Sequence, residues 1–338
     1  MPAFSPFMTP RIRARGPGEH TDARMTIEPE IATPPITEVK NEVPLGYVFA
    51  AAGALLFSTK GIIVKLAYDY DVSPETLIAL RAAFSLPFYL SIGALAWLGL
   101  WQKGAARPSA RLIGKAMFIG VFGVWFASYV DFIGLTYISA QFERLILFTY
   151  PIFVVIFGAM FFGQRVRARA LAALGVSYIG LAMIFTEHLV LDGQATVIGA
   201  GFVVASAIAF ALYQFMAKDA MAEMGPRLFT CIAMTGAGIA AFASFFVTHE
   251  ARELLVTGPL LGYSILLAIA ATVLPSFLMS AALHRISAHA NAAIGILGPV
   301  STLLLAVVIL DEPLTLIGVL GSALVLAGVG WFTLAERR

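Results

Sequence analysis

The sequence predicts an all-α membrane protein of ten transmembrane helices arranged as two inverted five-helix repeats, and three observations lead there. The 338 residues are 59% hydrophobic and 12% charged, with a mean hydropathy of +0.87, whereas charged residues make up about a quarter of an ordinary soluble domain. Apolar runs of the length an α-helix needs to cross roughly 30 Å of hydrocarbon alternate with short polar breaks. The chain also matches itself. A shift of about 148 positions lays Ile138-Ser139-Ala140 on Ile286-Ser287-Ala288, Pro151 on Pro299, Gly163 on Asp311 and Gly180 on Gly328.

Taken in order, residues 1–44 read as a disordered cytoplasmic tail, rich in proline, with Arg11, Arg13 and Arg15 among scattered acids and no apolar period. Such a composition cannot bury a core. No apolar segment follows the basic residues closely enough for a cleavable signal peptide, and Met25 is an alternative start. Predicted spans follow at 45–67, 75–98, 112–134, 138–162, 169–186, 196–217, 228–248, 260–283, 289–310 and 313–333. The fourth holds Pro151 in its middle and the pair Glu143-Arg144 near its start; the ninth holds Pro299. A short turn and a Gly-rich helix follow each of these interrupted helices. The first helices of the halves match at a shift of about 153, with Gly46 on Gly199, Phe57 on Phe210 and Lys65 on Lys218. Residues 45–186 and 196–334 are therefore read as the two repeats. Interrupted helices at matching places point to a transport site, because irregular backbone at membrane depth survives only against protein or a cavity.

Orientation follows from the distribution of Lys and Arg. Lys103, Arg107, Arg111, Lys115, Arg165, Arg167, Arg169, Lys218, Arg227, Arg285, Arg337 and Arg338 fall in alternate breaks, while the others carry mostly acids such as Asp69, Asp71, Glu187, Glu250 and Glu312. Both termini are expected in the cytoplasm of a multi-pass cell-membrane protein. Five helices per half is an odd number, so the second half enters the membrane upside down.

FSTKGIIVKLAY in the first span, Arg81 of LIALRAAF in the second, the spacings Ala140 to Pro151 and Ala288 to Pro299, and LDEPLTLIGVLGSALVLAGV before and through the last span together resemble the drug/metabolite transporter superfamily, EamA type. The resemblance covers residues 45 to 334. It implies export or uptake of small metabolites by alternating access, with export the expected direction. One departure is visible: the acid that usually ends the fourth helix is Gln164 here, while its counterpart Glu312 is kept.

Candidate site residues are the ionisable groups inside the spans: Lys60, Arg81, Asp131, Glu143 and Arg144. Each costs roughly 2.5–3.5 kcal/mol at the bilayer centre on insertion scales, so five together are not expected to face lipid. Counted at 1.5 Å per residue from the outer helix ends, all five fall within roughly 6–12 Å of one another in depth. Two readings compete: a structural network, for instance Arg144 with Asp131 and Lys60 with Glu143, or a substrate and coupling site in which Lys60 and Arg81 lie deepest. Asp131 and Glu143 are the candidate coupling residues, and Pro151 and Pro299 the candidate hinges. Trp125 and Tyr129 are candidate cavity residues. In the family's pseudo-symmetry the second half offers Tyr213, Gln214, His289 and Asn291 instead of charge; His284 and His289 fit interfacial water better than a ligand role.

No phosphate loop, HExxH, GxSxG or paired-cysteine signature is present, and Cys231 is the only cysteine. ATP-driven pumping, metal catalysis and nucleic-acid binding find no support, and no cofactor is expected. The reading is a secondary carrier of a carboxylate-bearing or zwitterionic solute such as an amino acid. The alternative is an integral-membrane enzyme or lipid-handling protein that binds a headgroup through its intramembrane charges. The expected partners are a small solute and the bilayer, and a homodimer is compatible with the small residues Gly175, Gly180, Gly318, Gly321 and Gly328.

Overall fold

A computed structural model describes residues 36–102, 107–162, 168–283, 285–286, 294–295 and 297–335. Gln164, His284, His289, Asn291 and most of the N-terminal tail lie outside the described residues. Eight helices are long and apolar enough to cross a membrane: α1 (Pro44–Tyr68), α2 (Pro74–Gln102), α3 (Ala110–Tyr137), α4 (Ala140–Phe161), α5 (Leu171–Leu191), α6 (Gln194–Met224), α7 (Pro226–Thr248) and α8 (Gly258–Met279). Two shorter apolar helices follow, α9 (Leu297–Ile309) and α10 (Leu316–Phe332). Among the described residues there is no strand.

Two boundaries differ from expectation. The helix that enters α1 already begins at Ile36 and runs through Pro44, so the stretch read as unstructured ends earlier. A proline removes one ladder hydrogen bond, and the preceding ITEVKNEV contains no other breaker. Likewise, the polar break expected from residue 187 is helical to Asp192. Gly193, at φ +59, alone makes the turn into α6, since only glycine adopts that region without strain.

Helix pairs repeat across the molecule. α5 packs on α10 and α2 on α7, while α1 against α8 and α9 has its counterpart in α6 against α3 and α4. Individual contacts repeat too. A Cβ on Gly46 would stand 2.8 Å from Ile286 Cγ2, and one on Gly199 would stand 2.6 Å from Ile138 Cγ2. Arg285 lies over the Phe49 ring at 5.3 Å, and the Tyr137 ring stacks on Phe202 at 6.4 Å. Between α5 and α10 the contact is reciprocal: Gly180 meets the backbone of Gly321 and Val325, and Gly328 meets that of Ala173 and Ser177. Small residues let the two backbones approach closely where lipid offers no hydrophobic drive. Gly180, Gly321 and Gly328 are thus used within the chain, whereas Gly175 faces open space.

Four interruptions place polar groups at membrane depth. α1 breaks at Thr59, where Ser58 and Thr59 bond back to the carbonyls of Leu55 and Leu56 at 2.6 and 2.7 Å; such back-bonding competes with the helical ladder. α4 breaks at Phe148-Thr149, just before Pro151. α3 and α8 each widen into a π-helical turn, at Val121–Phe126 and Ile269–Val273, and the two turns fall at the same register of the internal match.

Candidate functional site

The charge layer is built beside the break in α1. Lys60 opens the second segment of α1, one residue past the break, and its ammonium reaches two carboxylates: Asp131 Oδ2 on α3 at 2.6 Å and Glu143 Oε1 on α4 at 3.3 Å. Exposure is 11% for the Lys60 side chain, 1% for Asp131 and 0% for Glu143. Gly61 makes room for the last of these, since a Cβ there would already be 3.3 Å from Glu143 Oε2. The sequence pairing of Arg144 with Asp131 is replaced by this shared ammonium. Depth along each helix is countable from sequence, but rotation about the helix axis is not. Asp131 Oδ1 and both oxygens of Glu143 have no hydrogen-bond donor.

Neither guanidinium finds a carboxylate within ion-pair distance among the described residues. Arg144 lies over the Phe57 ring at 5.0 Å, on the α1 segment before the break. It also rests against Gly298 of α9, where a Cβ would stand 2.8 Å from its Nη2. Arg81 of α2 is 9% exposed and lies over Phe132 of α3 at 5.2 Å. Cation–π contact holds such groups without neutralising them. The layer therefore carries two carboxylates committed to one ammonium, and two cations held on aromatic faces.

Hydrogen bonds that could not be read from the sequence frame this layer. Tyr68 donates to the Phe132 carbonyl at 2.7 Å, and Thr302 of α9 donates to the Ser58 carbonyl at the α1 break at 2.9 Å. Tyr89 of α2 lies at 3.4 Å from the Thr272 carbonyl in the α8 π-turn and 3.1 Å from Ser276 Oγ. Glu312, in the turn between α9 and α10, accepts from the backbone N–H of Ala140 at 2.7 Å and of Gln141 at 3.2 Å. These are orphan donors at the start of α4, where a carboxylate is favoured by the helix dipole. Only Glu312 carried a sequence signal, as the kept acid of its motif.

The remaining candidates disperse. Trp125 stacks on Tyr129 at 5.9 Å and donates to Ser244 Oγ of α7 at 3.2 Å, while Tyr129 donates to Glu75 Oε1 at 2.8 Å. Tyr213 packs on Gly123 in the α3 π-turn and stacks on Phe210, which Tyr150 meets edge-on. Gln214 is exposed. Pro151 follows the α4 break directly, and Pro299 sits in the first turn of α9, three residues from the Thr302 link. A Cβ at Gly295, one turn before Pro299, would meet no atom within 4 Å. Among the described residues no three His, Cys, Asp or Glu gather into a metal-holding set. An apolar cleft of about 320 Å³ between α2, α3 and α7 contains none of the five charges, nor does a second pocket of about 50 Å³ beside Glu187, His188 and Glu312.

The EamA-like transporter family matches this sequence twice, over residues 44–186 and 197–334. An uncharacterized transporter of Bacillus subtilis (strain 168), YcbK, is 30% identical over 293 residues, covering 83% of this chain and 90% of its own. An uncharacterized transporter of Archaeoglobus fulgidus is 26% identical over 258 residues, covering 76% of this chain and 88% of its own. A crystal structure 18% identical to this chain superposes with a TM-score of 0.56 over 87% of this chain and 99% of that one, a likeness of fold.

Proposed function

Because the chain belongs to the EamA-like transporter family, we propose that it is a secondary carrier for a small carboxylate-bearing or zwitterionic metabolite, working by alternating access between two inverted five-helix halves. One observation carries the cargo class: of the charges gathered in the membrane, the carboxylates share Lys60 while Arg144 and Arg81 keep their charge. With three cations against two carboxylates the layer carries a net charge of +1, which favours an anionic group over a lipophilic cation. Arg144 is the better placed of the two. It bridges the α1 segment before the break and the Gly298-Pro299 turn of α9, so a carboxylate taking the guanidinium fork would touch both halves at once.

The repeated contacts support the inverted-half reading. Gly46 with Ile286 and Gly199 with Ile138 are one contact made twice, as are Arg285 with Phe49 and Tyr137 with Phe202. Alternating access needs two end states of similar energy, and halves that make the same contacts in opposite senses are consistent with that requirement. Ten crossings follow if α9 and α10 span with their neighbouring segments. The test is counterflow in proteoliposomes, with candidates taken from an unbiased metabolite comparison of cells with and without the protein. A carboxylate-bearing solute should exchange, and Arg144→Ala should cut its exchange at least about tenfold, the equivalent of one lost charge-assisted hydrogen bond. Exchange confined to organic cations would overturn the cargo class, and lipid turnover without solute movement would overturn the carrier.

A further inference from the structure

We propose that Glu143 is a proton-binding site, and that the proton it takes releases Lys60 and so unlatches α1 from α4. Four observations point there. Glu143 is 0% exposed. Its two oxygens accept no hydrogen bond. The one cation within ion-pair reach, Lys60, stands at 3.3 Å and already gives its short bond to Asp131 at 2.6 Å. The two carboxyl groups therefore compete for a single ammonium, and where two buried carboxylates share one site, one of them takes up a proton. Asp131 holds the stronger claim on Lys60, so the proton falls to Glu143.

The charged surroundings are few. Lys60 on α1 and Asp131 on α3 face the group, and Arg144 follows it on α4. Glu312 lies at the α4 N-terminus, Glu187 and His188 line the pocket on the α5 side, and the described part of α9 has no titratable residue. No second cation on these helices is within ion-pair distance of Glu143 among the described residues, so a proton is the ligand that matches the unmet acceptor.

The mechanical consequence comes from the place of Lys60. It sits one residue past the break in α1, and its two ion pairs tie the outer segment of that helix to α3 and α4. A protonated Glu143 no longer attracts Lys60, which leaves the Asp131 pair alone holding the segment. Resting on the proposed carboxylate cargo, the sign of coupling also follows: an anion at Arg144, adjacent in the chain to Glu143, makes protonation more favourable. Proton and anion are then bound together and travel in the same direction.

The test is infrared difference spectroscopy of the protein reconstituted in liposomes, titrated from alkaline to acid buffer. One buried carboxylic acid C=O stretch should appear on acidification and vanish in Glu143→Gln, a neutral isostere of the protonated state that should keep the fold by thermal unfolding. It should shift but persist in Glu143→Asp, and be untouched in Glu187→Gln. A band lost in Asp131→Asn but kept in Glu143→Gln, or no buried carboxylic acid at all, overturns the proposal. In parallel, liposomes loaded with a pH dye receive a mixture of the twenty amino acids as probe. An amino-acid-evoked acidification absent in Glu143→Gln supports the coupling. The Glu143 band without any solute response leaves the proton site standing and counts against the cargo reading. Solute exchange with no such band does the reverse.

Discussion

At the scale of residues, Lys60 is held by enough opposing charge that removing it alone is worse than removing the whole cluster. Leaving two carboxylates in a water-poor layer without their shared cation costs about 3–5 kcal/mol, whereas neutralising all partners of a buried ion pair is often close to neutral. Lys60→Met should therefore lower the unfolding temperature in micelles well below that of the wild type. Adding Asp131→Asn and Glu143→Gln to the same chain should recover much of the loss; a Lys60→Met protein as stable as the wild type would dissolve the cluster as a structural unit. Arg81 asks a different question, since its planar guanidinium lies over Phe132 at 5.2 Å and a lysine cannot reproduce that face-on contact. Arg81→Lys is expected to reduce exchange roughly tenfold, about 1.4 kcal/mol of lost interaction, while the protein remains inserted. Which residues would gather was legible in the sequence, because an ionisable side chain in an apolar run has few places to go. Which would pair was not. Lys60 and Asp131 are 71 residues apart, and their contact depends on the rotation of two helices about their axes.

Elements show the same division. The interruption of α4 could be anticipated because Pro151 has no N–H to give to the Leu147 carbonyl one turn back, and the helix does break at Phe148-Thr149. The π-turn of α3, Val121–Phe126, had no such marker. That of α8, Ile269–Val273, did, since Pro275 has no N–H to give to the Ala271 carbonyl inside the turn. Pro151→Ala should restore the ladder and straighten α4, slowing exchange more than it weakens cargo binding; unchanged turnover would remove the hinge. The turn before α10 offers a second handle. Glu312 bonds two N–H groups at the start of α4, so the second half caps a helix of the first. Ser139 is the N-cap of α4, and Glu312→Ala forfeits a carboxylate that bonds two further N-terminal N–H groups, worth about 1–2 kcal/mol. Stability should fall by that amount, and a cysteine placed at Gln141 should react faster with an impermeant thiol reagent. An equal labelling rate would show that this contact does not gate the outer end.

For the whole molecule, the contact pattern and the charge pattern make one argument about how the chain sits in the membrane. Reciprocal contacts between α5 and α10, with Gly180 against Val325 and Gly328 against Ser177, place a pseudo-two-fold axis between these helices. In the proposed arrangement of five spans per half, an axis relating the halves lies in the membrane plane, so equivalent loops face opposite sides. The basic residues respect this. Arg285 takes in one half the place that Tyr137 takes in the other, each against its aromatic partner. With Arg285 expected at the inner interface and Tyr137 at the outer one, the exchange fits the positive-inside tendency. Reporter fusions after residues 105, 167 and 338 should therefore read cytoplasmic, and fusions after 71, 190 and 252 external. Residue 167 is the decisive point, because it lies between α4 and α5, where the basic break of Arg165, Arg167 and Arg169 is expected inside while the equivalent acidic break of the second half, Asp311 and Glu312, is expected outside. An external signal there would leave the repeated contacts without an inverted arrangement to explain them, and alternating access between equivalent halves would lose its structural basis.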